Sequence, residues 1–182
     1  TSYITLSPST ALFRSTPRAG EDVVAEARPG RVDAEPPHAV SLADAEAAAL
    51  RHVRVGSDRF RECFTCGTRP EADGLEIYAG PVPGREPLHA APWVAREPSY
   101  EVVWAAIDCP GAYAVGAEGR GETVLGRMAA RVDRVPAEGE SCVVLAWPVE
   151  EDGRKLFAGT ALMSAKGELL AIVGPSGSGK ST

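Results

Sequence analysis

Asp108 is the residue of this sequence best suited to chemistry, because a carboxylate can accept a proton from a reacting group. It is the only acidic residue in the apolar part of Tyr100–Val115, the segment YEVVWAAIDCPGAYAV. Its position just before Cys-Pro-Gly also suits a helix N-cap, so a purely structural role stays open. The neighbouring Cys109 is a second candidate nucleophile, although no histidine is close in sequence and free cysteines commonly pack in cores.

Cys63 and Cys66, in the segment CFTC, have the spacing of half a zinc site or of a redox pair. A structural zinc ion needs four ligands. The other candidate ligands show no second pair at ligand spacing; they are Cys109, Cys142, His52 and His89. The sequence therefore predicts packed cysteines, no metal ion and no cofactor.

The end of the chain holds a phosphate-binding pattern. Residues 174–181, GPSGSGKS, match G-x-x-x-x-G-K-[ST] and follow the apolar segment Leu169–Val173. Residues 166–182, KGELLAIVGPSGSGKST, resemble the truncated start of an ABC transporter ATPase domain. In such a domain the loop amides hold phosphates, Lys180 reaches the outer phosphates and Ser181 binds magnesium. The alternative nucleotide site comprises Gly174, Gly177, Gly179, Lys180, Ser181 and Thr182.

Because the motif works at the start of a helix and only Thr182 follows Ser181, we expect no ATP hydrolysis by this chain. A physiological fusion to an ATP-binding domain and a junction artefact both remain as explanations of the motif.

Length and composition favour one globular domain, or one domain with a fragment of another. The 182 residues are 44% hydrophobic, which suffices for a core. The net charge is −6 and the 19 basic residues are scattered, so no nucleic-acid partner is expected. No apolar run reaches the ~20 residues of a membrane span. The four cysteines favour reduced, intracellular surroundings, and we expect a cytoplasmic protein.

One helix followed by a meander of strands is the predicted architecture. The helix covers Tyr100–Val115 and must bend or restart at Pro110, since proline cannot continue a helix. An alanine-rich helix is predicted over Leu42–Val53, and Gly153 and Gly167 mark tight turns. This arrangement predicts an α+β fold, with strands in the segments 22–33, 75–78, 88–94, 122–135, 141–149, 155–164 and 168–173.

The whole pattern resembles the thioesterase-like proteins of the hotdog superfamily, of a bacterial type. The resemblance covers about residues 22–171 and is carried by FTCG, DGL, APWV, VVWAAIDCPGAYAV, VLGRMAARVDRVPAEGE and VVLAWPVEEDGRKLFAGTAL. It implies an antiparallel sheet wrapped around one central helix. Because many hotdog proteins pair two such units, it also implies a homodimer, a pseudo-dimer or an incomplete double hotdog.

The resemblance also divides the chain into segments. Residues 1–21 would be a poorly ordered or foreign leader. Residues 22–60 would be a remnant of a first hotdog unit with a linker helix, and residues 61–173 the hotdog-like domain. Residues 174–182 would be an isolated P-loop tail.

In hotdog thioesterases the acyl thioester lies along the central helix, where an acidic residue acts as base or nucleophile and a backbone N–H polarises the carbonyl. The resemblance makes Asp108 the candidate catalytic base. Gly111 and Ala112 would supply oxyanion donors, and Trp104 and Cys109 would line the substrate. The expected function is hydrolysis or binding of an acyl-CoA-type thioester. A non-catalytic acyl-binding or structural protein and a truncated fusion to an ABC-type ATP-binding domain are the alternatives.

Overall fold

Nine strands form one sheet in the part of the chain described by the structure, a computed structural model. The described residues are 2–6, 18–19, 22–23, 25–29, 32, 34–53, 60–69, 73–117, 120 and 123–179. The helices are α1 (Leu42–Ala49), α2 (Tyr100–Ala106) and α3 (Pro110–Ala114). The strands are β1 (Ser2–Leu6), β2 (Arg18–Ala19), β3 (Asp22–Val23), β4 (Ala25–Pro29), β5 (Gly80–Pro81), β6 (His89–Val94), β7 (Val124–Leu125), β8 (Arg127–Val132), β9 (Ser141–Asp152), β10 (Lys155–Ser164) and β11 (Leu169–Gly179).

The strand order of the sheet is β4-β1-β8-β11-β10-β9-β6-β5, with β7 paired to one end of β11 and β2 paired to β3 outside the sheet. From β8 to β5 every pair is antiparallel, as predicted for the meander. Strand β1 departs from this pattern, because it pairs in parallel with both β4 and β8. Parallel neighbours need a crossover connection rather than a hairpin, and a meander signal does not predict one.

The hairpins that join β9, β10 and β11 confirm the turn predictions. Gly153 and Gly167 have φ of +57° and +84°, a backbone conformation that side-chain-bearing residues rarely adopt. Strand β10 has the predicted bounds, whereas β9 extends to Asp152 and β11 to Gly179, past their predicted ends. Both extensions follow from pairing with the first residues of β10, since Glu150–Asp152 of β9 and Ser176–Gly179 of β11 lie opposite Lys155–Ala158.

The middle of the sheet is buried on both faces, which explains why its strands are apolar runs rather than alternating sequences. Along β9, Cys142 and Val144 join the core beneath α2 and α3. Val143 and Leu145 join a second core on the opposite face. All four side chains are fully buried.

Helix α1 packs against this second face. Ser41 caps it by accepting a first-turn backbone N–H at 3.1 Å, and Ala48 is buried against the sheet. The helix ends at Ala49 rather than at the predicted Val53. The N–H of Arg51 bonds to the carbonyl of Ala48, three residues before it, at 2.8 Å. An α-helical bond spans four residues, so this bond tightens the last turn and ends the helix.

Among the described residues, no helix has the length and apolar composition needed to span a membrane.

The strand predicted for residues 75–78 is absent, because these residues bond to a loop instead. The N–H groups of Leu75 and Ile77 donate to the carbonyls of Phe64 and Thr65 at 2.8 and 2.9 Å. The predicted strand over 22–33 corresponds to β3 and β4, with the remaining described residue, Val32, buried in the second core.

The C-terminal phosphate-binding pattern forms a strand as far as it is described. Gly174–Gly179 continue β11, and Ser178 pairs with Leu156 of β10 on one side and with Leu125 of β7 on the other. A phosphate-binding loop needs successive amides that converge on one anion, whereas the amides of a paired strand alternate in direction. The described part of the motif therefore differs from the predicted isolated loop, and residues 180–182 lie outside the described residues.

The helix break predicted at Pro110 is confirmed, and two buried threonines satisfy the carbonyls around it. Helix α2 ends at Ala106 and α3 begins at Pro110. The Thr65 hydroxyl donates to the carbonyl of Ala105 at 2.8 Å, and the Thr160 hydroxyl donates to the carbonyl of Ile107 at 2.6 Å. These bonds join the loop 60–69 and strand β10 to the same short segment of backbone.

Replacing Thr160 by valine tests this anchor, because valine keeps the volume and removes the donor. The Ile107 carbonyl, in a residue that is 1% exposed, then lacks this donor. We expect the free energy of unfolding to fall by about 1–3 kcal/mol, measured by urea denaturation at neutral pH. The same substitution at the exposed Thr68 is the control and should change it by less than about 0.5 kcal/mol. Equal effects at the two positions would contradict the anchoring role.

Arg134 holds two loops at one end of the sheet. Its guanidinium forms a two-point bond with Glu140, at 2.9 Å on each side, and reaches Glu168 at 2.8 Å. Glu140 also accepts the N–H of Ala137 at 2.8 Å. The hydrogen bonds from Arg134, followed by the one from Ala137, lower the pKa of Glu140 to about 2 from its usual 4.5.

A carboxylate with a lowered pKa stabilises the fold above its unfolded-state pKa and loses that contribution as pH falls toward its folded-state pKa. We therefore expect the wild type to be more stable than Glu140→Gln above about pH 5, with the difference shrinking between pH 4.5 and about 2. Urea denaturation at several pH values in this range measures the difference in free energy of unfolding. Glu150→Gln, at the exposed end of β9, is the control. A difference that grows on acidification would contradict the assignment.

Candidate functional site

Helix α3, the break before it and the loop 60–69 enclose a mostly apolar cleft of roughly 330 Å³. This volume is within the range of small-molecule sites, ~300–1,000 Å³. No arginine, lysine or histidine is among the described residues that line it. The lining consists of Phe60, Cys63 and Cys66 from the loop, Asp108, Cys109, Gly111, Ala112 and Tyr113 from the helix side, and Thr123, Val124, Leu125 and Ala158 from the strand side.

The carboxyl group of Asp108 lies in the wall of this cleft. The N-cap of α3 is Cys109, without a side-chain capping bond, so Asp108 does not cap the restarted helix. Among the described residues, no side chain or backbone group forms a hydrogen bond or ion pair with its carboxylate. Burial raises the pKa of Asp108 to about 6, and the negative charge of the nearby Cys63 adds to the rise. The carboxylate is thus directed to the cleft rather than used within the fold.

Two backbone N–H groups were predicted to face the reacting group, and the structure distinguishes between them. The N–H of Ala112 already donates to the carbonyl of Cys109 at 3.0 Å. The N–H of Gly111 has no hydrogen-bond partner among the described residues. A side chain at Gly111 would place its Cβ 2.9 Å from the Ala158 Cβ, so only glycine lets α3 approach β10 this closely.

The other predicted substrate residues divide between the cleft and the core. Cys109 lines the cleft beside Asp108. Trp104 packs against the core beneath α2 and is not among the cleft-lining residues. Residues four positions apart lie on the same face of a continuous helix. Helix α2 ends at Ala106, however, so Trp104 and Asp108 do not share one helical face.

Three thiols meet in the cleft wall, and sequence reasoning did not predict this cluster. The sulfurs of Cys63, Cys66 and Cys109 all lie within 4.8 Å of one another, and those of Cys63 and Cys109 are 3.5 Å apart. The Cys109 contact, followed by that of Cys66, lowers the pKa of the Cys63 thiol, while the contact with Cys63 raises the pKa of Cys109. The CFTC spacing was the visible signal for two of these cysteines. The third, Cys109, lies 46 positions after Cys63 in the sequence.

The comparisons with solved structures concern the fold. The thioesterase superfamily protein RHA08564 aligns with a TM-score of 0.54 at 17% identity, over 66% of this chain and 61% of its own. Zebrafish Thioesterase Superfamily Member 2 aligns with a TM-score of 0.51 at 14% identity, over 69% of this chain and 98% of its own. This chain has the hotdog α+β fold. It spans less than two thirds of the length of the first of these proteins.

A hypothetical thioesterase protein of Streptococcus pneumoniae TIGR4, crystallised with coenzyme A, aligns with a TM-score of 0.47 at 7% identity, over 54% of this chain and 82% of its own. No protein-family model matches the sequence, and no curated protein matches it. The hotdog fold therefore rests on structural similarity, and the chemistry of the cleft must be argued from its own residues.

Proposed function

We propose that the cleft binds an acyl thioester of the acyl-CoA type and that the chain hydrolyses it with Asp108 as the general base. The observation that carries the proposal is the Asp108 carboxylate in an otherwise largely apolar cleft, without a partner among the described residues. A buried carboxylate without a structural partner costs stability, so a functional role gives a physical reason for it. The hotdog fold shared with thioesterase superfamily proteins supports the same substrate class.

In the proposed reaction, the substrate carbonyl lies against the N–H of Gly111, which has no other partner among the described residues. A water molecule attacks the carbonyl carbon while Asp108 accepts one of its protons, and the carbonyl oxygen becomes an oxyanion that the N–H stabilises. Collapse of this intermediate breaks the carbon–sulfur bond. The leaving thiolate takes the proton from Asp108, which regenerates the carboxylate and releases a carboxylic acid and a thiol.

The apolar side of the cleft suits the acyl chain. Ala112, Leu125 and Ala158 line it with small or branched aliphatic groups, and Val124 at its edge is 41% exposed. Burying a methylene group of a ligand contributes about 0.8 kcal/mol, so a few such contacts are enough to select among chain lengths.

Asp108→Asn tests the catalytic assignment, because asparagine keeps the shape of the side chain and cannot accept the proton. We expect kcat for hydrolysis of the best substrate in a panel of acyl-CoAs to fall by about 10²–10⁴-fold. Release of free thiol measures the rate, and circular dichroism and the unfolding midpoint show whether the fold is intact.

Asp152→Asn, at the exposed end of β9, makes the same chemical change outside the cleft and should leave the rate unchanged. A folded Asp108→Asn protein with wild-type turnover would contradict the role of Asp108. An absence of turnover by the wild type with every chain length, with saturable acyl-CoA binding still present, would instead favour the acyl-binding alternative.

Ala112→Leu tests the position of the acyl chain by filling part of the cleft. We expect kcat/KM for medium-chain acyl-CoA to fall by about tenfold or more, because each displaced methylene contact removes about 0.8 kcal/mol, while acetyl-CoA is affected less. Ala137→Leu, in an exposed turn away from the cleft, is the matched control. An equal loss for all chain lengths would contradict this placement.

A further inference from the structure

The cluster of Cys63, Cys66 and Cys109 has the geometry of a metal site rather than of a disulfide. A zinc ion binds thiolates at about 2.3 Å, so two sulfurs in a tetrahedral site lie about 3.8 Å apart. The observed separation between Cys63 and Cys109 is 3.5 Å, and all three sulfurs lie within 4.8 Å of one another. A disulfide joins two sulfurs and leaves the third without a role, whereas a tetrahedral ion uses all three as one face of its coordination shell.

The backbone around the two loop cysteines is held in place before any ion binds. The N–H of Gly67 donates to the carbonyl of Cys63 at 2.8 Å, and this turn is so tight that a Cβ at Gly67 would lie 2.4 Å from the Cys63 nitrogen. The N–H of Thr68 also donates to the carbonyl of Arg61, at 2.9 Å. These bonds fix the loop that carries Cys63 and Cys66, and the thiolate form of a cysteine is the one that binds metal ions.

The third sulfur is brought to the loop by the hydrogen bonds that fix the helix break. Thr65, between the two loop cysteines, bonds to the carbonyl of Ala105, and Thr160 bonds to the carbonyl of Ile107, two residues before Cys109. A site whose ligands are already positioned loses little conformational entropy when the ion binds.

The charges around the cluster also suit a cation. Asp108 lies next to it in the same wall, and no arginine, lysine or histidine lines the cleft among the described residues. Three thiols and a carboxyl group thus share one partly buried wall, with no cationic side chain of that lining to balance their anionic forms.

We propose that Cys63, Cys66 and Cys109 bind one zinc ion, with its fourth coordination position open to the cleft. Three thiolates are soft ligands in a set that suits zinc, and a three-residue set with an open position is the arrangement of zinc sites that meet solvent or substrate. An iron–sulfur cluster takes four protein ligands, which are cysteines in most cases. The fourth cysteine of the chain, Cys142, is fully buried in the sheet core and does not belong to the cluster.

The test is the metal content of the whole chain, expressed with added zinc and dialysed against a weak chelator. We expect about one zinc ion per chain, measured by inductively coupled plasma mass spectrometry. Cys63→Ser and Cys109→Ser should each lower retention by at least about tenfold. Cys142→Ala removes a buried cysteine outside the cluster and should keep the full content, which separates loss of a ligand from loss of fold.

Two further measurements keep the proposal testable if the serine variants do not fold. Cobalt exchanged into the wild type should give the intense visible bands of a four-coordinate site and a thiolate charge-transfer band. Alkylation of the native wild type should be slow at Cys63, Cys66 and Cys109 and become fast when a strong chelator is added.

The proposal is overturned if the wild type neither retains zinc nor binds added zinc or cobalt, or if Cys142→Ala loses as much metal as the ligand variants. A disulfide between two of the three cysteines in the native protein, found by peptide mapping, would also overturn it and indicate a redox pair. None of these readouts requires turnover, so they are independent of the proposed hydrolysis.

Discussion

The arrangement of the cleft depends on the two threonine hydroxyls that donate to the carbonyls of Ala105 and Ile107. Pro110 has no N–H and its ring prevents the helix from continuing through it, and hydroxyl donors from elsewhere in the fold bond to two carbonyls before it. Thr65 supplies one from the loop that carries two cysteines, and Thr160 supplies the other from β10. The same bonds therefore complete the broken helix and bring the loop, the helix break and the sheet to one point.

A sheet buried on both faces provides the rigid support for that point. The core beneath α2 and α3 and the second core beneath α1 share β9 and β10, whose residues alternate between the two. Interiors packed in this way resist small displacements. Gly111 shows how close the packing is, because even a methyl group there would lie 2.9 Å from Ala158. Helix α3 and strand β10, which form two sides of the cleft, are consequently in close contact.

The cleft combines groups that would repel one another when ionised. The charge of Cys63 raises the pKa of Asp108, and the charge of Asp108 contributes to raising that of Cys109. Natural folds retain such arrangements mainly where the groups have a function or a bound cation balances them. The proposed hydrolysis uses the carboxylate and the proposed zinc ion uses the thiolates, so together they account for the four groups.

Local chemistry determined much of this fold. Proline at 110 required a helix break and the glycines at 153 and 167 allowed the hairpin turns, because both effects depend on one residue and its neighbours. Asp108 could be selected for the same reason, as the only acidic residue in the apolar part of Tyr100–Val115. The tertiary structure alone decided that Cys109 joins Cys63 and Cys66, since side chains so distant in sequence meet only when helix and loop dock. It also made the described part of the C-terminal glycine motif a strand, because pairing with β10 and β7 satisfies backbone groups that a local pattern leaves unassigned.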